Sequence, residues 1–125
     1  MSNDTPESWR IAKARRQLQS AARAFDQGDW ETTASRAYYA AYHAIVDLLE
    51  RKTDLRIPRN HARLHNLLRA QALSALLDTE HIRDFGRLFQ ERQTADYEPD
   101  SLSKERAMDT LARARAIVTR VSEVR

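Results

Sequence analysis

A chain of 125 residues, 42% of them apolar, is long enough for one domain with its own core. It has no Cys, which excludes disulfides and thiolate zinc sites, and only two Gly and three Pro, which disfavours a sheet built on tight turns. The net charge of +3 is modest, but it is made from eighteen Arg against three Lys. The planar guanidinium fork pairs with phosphate through two bonds, so this surface suits a nucleic-acid or nucleotide partner; an Arg-solvated surface is the plainer reading, and composition alone favours it. No charged-then-apolar leader opens the sequence, and no apolar run approaches the roughly 20 residues that span a bilayer. The expectation is a soluble, cytoplasmic protein without a membrane partner.

In chain order, residues 1–4 are expected to fray, and Thr5-Pro6-Glu7-Ser8 reads as a helix opening, with a capping hydroxyl and Pro at the first helical position. Ile11, Ala14, Leu18, Ala22 and Phe25 form the first apolar stripe. Gly28 stops that helix and Asp29 caps the next, expected from Trp30 to Arg51. Within it, Ala34, Tyr38, Ala41, Ile45 and Leu48 recur at steps of four and three on one face, and Arg36, Tyr39 and His43 lie on a neighbouring face. The second helix therefore carries an apolar stripe beside groups that bind anions or move protons.

Residues 52–58 read as a loop closed by Pro58. A third helix is expected from Arg59 to Leu77, with Leu64, Leu67, Leu68, Leu73, Leu76 and Leu77 apolar, and Asp78-Thr79 as break and cap. A fourth is expected from Glu80 to Ala95, with Ile82, Phe85, Leu88 and Phe89 inward and Gly86 marking a close helix crossing. Ser101 or Ser103 caps a fifth, which packs through Ala107, Leu111, Ala114, Val118 and Val121. The reading is one all-α domain over 1–125, an up-and-down bundle of about five helices with short links.

The chemistry this chain can perform is narrow. Two Gly cannot make a phosphate loop, and no Ser sits in a nucleophile elbow. His61 and His65 have metal-compatible i, i+4 spacing, but Ala62 stands where a zinc hydrolase needs Glu, so they read as solvated helix-terminal histidines and no metal or cofactor is expected. Metal-free RNA cleavage needs only a His to move protons and an Arg to stabilise charge at phosphorus. Arg36 with His43, Arg56 with His61 and Arg59 with His65 each have four to six residues between them, although eighteen Arg make such pairs common by chance. Tyr38 is expected to pack inside, and Arg92 with Asp96 to form a surface i, i+4 ion pair.

The run Ser35-Arg36-Ala37-Tyr38-Tyr39-Ala40-Ala41-Tyr42-His43, followed by Arg92-Gln93-Thr94-Ala95-Asp96-Tyr97 and an Ala-rich last helix, resembles the HEPN superfamily (higher eukaryotes and prokaryotes nucleotide-binding) from about Trp9 to Val121. It is most similar to the small stand-alone prokaryotic branch with Ser-Arg-x-Tyr-Tyr and Arg-x-x-Ala-Asp-Tyr motifs. The resemblance implies a helical homodimer, in many members a metal-independent RNase acting at the dimer axis, and often a toxin encoded beside a minimal nucleotidyltransferase antitoxin. The Arg of the family's catalytic Arg-x(4–6)-His motif best matches Arg92, but Gln93 replaces the usual Asn and no His follows, Asp96 and Tyr97 occupying the region. The expected RNA- or nucleotide-binding groove comprises Arg36, Tyr39, Arg92, Asp96 and Tyr97, with His43, Arg36 and Arg92 as the catalytic set if it cleaves. The alternative is a non-catalytic helical interaction module or a substrate-binding partner of a nucleotidyltransferase.

Overall fold

The structure, a computed structural model, describes residues 7–70 and 76–124, the side chains of 69 and 70 excepted. Five α-helices and no strand occur among the described residues: α1 (Trp9–Asp26), α2 (Trp30–Lys52), α3 (His61–Ala70), α4 (Thr79–Tyr97) and α5 (Lys104–Glu123), with a short 3-10 helix at Pro99–Ser101. The all-α expectation holds. The frayed start, the Thr5-Pro6 opening and Leu73 lie outside the described residues.

The cap of α1 is Ser8, whose Oγ accepts from the Ile11 amide. Gly28 ends the α1 linkage at φ +74°, a conformation that L side chains resist, and Asp29 accepts from the Thr32 amide to start α2. With so short a link, α1 and α2 are antiparallel neighbours. Asn60 accepts from the Arg63 amide, so α3 begins at His61 rather than Arg59. Its expected run to Leu77 is corrected as well: Leu76 and Leu77 lie in a turn before α4. Ser103, not Ser101, caps α5.

The core surrounds α2, which packs against α1, α4 and α5, while α3 lies against α4. The expected face of α2 is buried, and so are Ala37, Ala40, Ala44, Val46 and Leu49 on its other sides. A helix apolar around most of its girth sits at the centre of a bundle, and the five buried Ala from Ala34 to Ala44 admit close neighbours. The α5 stripe is buried at all five expected positions. Gly86 does not mark a close crossing, because a Cβ there would meet nothing within 4 Å.

Two buried acids interrupt the apolar interior. Asp47 accepts from Ser8 Oγ at 2.5 Å and from Arg51 Nε at 2.8 Å, and Arg51 donates onward to the Val124 carbonyl at 3.1 Å. This ties the start of α1 to the ends of α2 and α5. Glu91 on α4 is gripped by Arg106 of α5 through two bonds, at 3.1 and 2.5 Å. Among the described residues, no helix is long and apolar enough to cross a membrane.

Candidate functional site

Tyr38 lies at the centre of the α2 surface that faces α3 and α4. Its ring is fully buried and stacks on Phe85, nearly parallel at 3° and 5.5 Å between centroids. Packing inside is what the sequence led us to expect, but its hydroxyl is also engaged. Tyr38 Oη is 2.6 Å from His61 Nδ1 and 3.3 Å from His65 Nε2. A phenol carries a single O–H. It donates to one imidazole and accepts from the other, so the two histidines serve it in opposite roles.

The reading of His61 and His65 as solvated is therefore corrected. His65 is buried, with its ring 4.2 Å from that of Phe85 and 4.5 Å from that of Phe89. His61 is half-buried and stacks on Tyr42 at 4.6 Å. The i, i+4 spacing that puts both rings on one face of α3 here serves a phenol, and that spacing was the signal available in the sequence.

Arg92 closes this cluster from α4. Its guanidinium lies 5.0 Å from the Tyr39 ring centroid and 5.4 Å from that of Tyr38, within cation–π range. The expected Arg92–Asp96 pair is present at the helix surface, at 3.9 Å. Arg36, Tyr39 and Asp96 line one shallow depression of about 320 Å³ between α2 and α4, and Arg36 also reaches Gln17 of α1 at 3.4 Å. Four of the expected residues, Arg36, Tyr39, Arg92 and Asp96, are thus brought together. Tyr97 points to solvent, 83% exposed.

His43 turns toward α1 instead. Its Nδ1 is 3.2 Å from Arg10 Nη1, and its ring packs edge-on against Trp9 and Tyr42. Arg has no acceptor, so His43 Nδ1 accepts and the neutral ring carries its proton on Nε2.

The electrostatics follow from burial. Desolvation pushes the Tyr38 phenol well above its ordinary range, with Arg92 pulling the other way. Burial, then the charges of Lys13 and Arg10, lower His43 to about 4. Burial and then Arg92 lower His61. Both imidazoles are neutral at pH 7, the form that can take a proton.

A stability consequence follows. Unfolded His43 titrates near 6.5, the folded form near 4. Between those values the unfolded chain binds a proton that the folded chain excludes. The contribution is complete above about pH 6.5 and is lost as pH falls toward 4. Urea midpoints at pH 7.5 and 5 should separate further for the parent than for His43→Gln. Equal separations would show that burial, Lys13 and Arg10 do not hold His43 neutral.

The HEPN domain profile matches residues 7–124. No curated protein matches the chain. The match starts one residue before the α1 cap and ends at Val124, so it takes in all five helices and every residue of the Tyr38 cluster: the chain belongs to the HEPN domain family.

Proposed function

We propose that this protein binds RNA or a nucleotide on the surface shared by α2, α3 and α4, and that it is a metal-independent ribonuclease acting there. The observation that carries the proposal is Arg92, poised over Tyr38 and Tyr39 beside a neutral His61. Arg92 and Arg36 hold phosphate, Tyr39 stacks or hydrogen-bonds, and Asp96 orients Arg92.

The geometry supports His61, rather than His43, as the proton carrier. His61 is the imidazole that feels the charge of Arg92, whereas His43 feels Lys13 and Arg10. His61 removes the ribose 2′-hydroxyl proton as the 2′-oxygen attacks phosphorus, the bond from phosphorus to the 5′-oxygen breaks, and His61 returns the proton to the leaving 5′-oxygen. The products are a 2′,3′-cyclic phosphate and a 5′-hydroxyl end. With Tyr38 on Nδ1, the substrate proton is handled at Nε2. A proton gained at Nε2 can be matched by one passed from Nδ1 through the Tyr38 hydroxyl toward His65. That relay moves the positive charge off His61, whose charged form burial and Arg92 both disfavour, onto His65.

Arg92→Ala should bind uncleavable 2′-O-methyl oligonucleotides about tenfold more weakly while folding normally, since the Asp96 partner is half-exposed. In EDTA, the parent should convert cellular RNA to fragments with cyclic phosphate ends, His43→Ala should retain this and His61→Ala should lose it. Unchanged binding by a folded Arg92→Ala protein would remove the proposal. Binding without cleavage would leave a nucleotide-binding module. Family membership extends the proposal to a homodimer paired with a nucleotidyltransferase antitoxin, for which co-purification of a second chain is the direct check.

A further inference from the structure

Trp9 is 62% exposed at the first position of α1, unusual for so large an apolar ring. It is not isolated. The Arg10 guanidinium lies 4.5 Å from its ring centroid, and its edge meets His43 at 6.1 Å. His43 contacts Tyr42 at 5.3 Å, and Tyr42 stacks on His61 at 4.6 Å. An unbroken line of rings therefore runs from the His61 site to an exposed indole on another helix. Beside that line, Arg10, Tyr42 and Arg59 contribute to a hollow of about 570 Å³, with Glu50 and Asp54 in its wall. The volume lies within the usual range of small-ligand sites.

We propose that Trp9 and Arg10 form a second nucleotide subsite, which takes a base and its phosphate from the same unpaired strand held at Arg92. This rests on the RNA-binding reading above and extends it. An exposed indole stacks any unpaired base, and an Arg beside it holds the adjoining phosphate. Arg10 is now paired with Glu50 at 2.7 Å, but Glu50 is half-exposed, so a phosphate can take the carboxylate's place at small cost. The interior rings of the line already face one another. They fix the path, and Trp9 supplies the open platform.

The test uses the full chain and 2′-O-methyl oligoadenylates of about four and about twelve nucleotides, spanning one subsite or both. Trp9→Ala should weaken the longer oligomer about tenfold and leave the shorter one unchanged, with Trp9→Phe restoring most of the loss. Arg92→Ala should weaken both. Equal binding of the longer oligomer by Trp9→Ala and the parent would overturn the subsite, and a loss confined to Arg92→Ala would leave the first site standing alone. A parent that binds neither oligomer would remove both proposals. A Trp9→Ala protein that elutes as a smaller species would assign Trp9 to contact between copies of the chain and overturn the subsite.

Discussion

Tyr38→Ala is expected to destabilise the fold by about 3–5 kcal/mol, the range for deleting a large ring from a packed core. The ring touches the rings of Tyr39, Tyr42, His61, His65, Phe85 and Phe89, which come from three helices. Its removal leaves a cavity beneath α3, beside the buried Leu64 and Leu68 of that helix. A domain of ordinary stability has about 5–15 kcal/mol in all, so the variant should be marginal at 37 °C. Tyr38→Phe separates packing from hydrogen bonding. It keeps the Phe85 stack but leaves His61 Nδ1 and His65 Nε2 without the hydroxyl, at a cost of about 1–3 kcal/mol. Urea unfolding of both variants measures the two terms. A loss below about 1 kcal/mol for Tyr38→Ala would mean that α3 is not docked on this ring. If cleavage uses the relay, Tyr38→Phe should also lower kcat more than it raises KM, because the hydroxyl does not touch substrate.

The helices and their buried faces were legible because both are written in local spacing. Ala107, Leu111, Ala114, Val118 and Val121 recur at steps of four and three, and all are buried. Gly28-Asp29 and Ser103 stop and start helices by chemistry confined to a few residues. The candidate site was half legible. Arg36, Tyr39, Arg92 and Asp96 fall in two runs that the family resemblance pairs, and they share one surface. His61 and His65 were misread because their burial depends on how α3 is turned against Tyr38, and spacing within α3 does not contain that angle. For the same reason the sequence grouped His43 with Arg36 and Arg92. Its face of α2 lies beside that of Tyr39, but α1 covers it with Trp9 and Arg10, thirty-three residues away from it in the case of Arg10. Asp47 and Glu91 gave no local sign of burial either. Arg51 and Arg87 stand one turn away on the same helices, but the partners that mark these acids as interior are distant, with Ser8 thirty-nine residues from Asp47 and Arg106 fifteen from Glu91.

Arg106→Ala is the second substitution with a large expected effect, about 3–5 kcal/mol. Glu91 is only 3% exposed, and Arg106 supplies both of its short bonds. Arg87 reaches it at 3.9 Å, too far to replace them. Without Arg106 the carboxylate stays in the α4–α5 seam without its donors. The Arg106 link to the Ser101 carbonyl, which holds the 3-10 helix against α5, is lost too. The reverse change, Glu91→Ala, should cost less, because the Arg106 side chain is one-third exposed and can turn to water. This asymmetry distinguishes a desolvated charge from a simple attractive pair, which would cost the same from either side. Replacing both residues, as Glu91→Leu with Arg106→Met, removes the buried charge together with its partner. The double variant should recover most of the loss, since buried ion pairs are commonly matched by apolar residues of similar volume. Thermal and urea unfolding of the four proteins makes the comparison. Equal losses from the two single variants, or a double variant as unstable as Arg106→Ala, would show that the pair contributes net attraction rather than fixing how α4 meets α5. Since α4 carries Arg92, that register also sets where the guanidinium stands over Tyr39, so oligonucleotide binding should follow stability across the same four proteins.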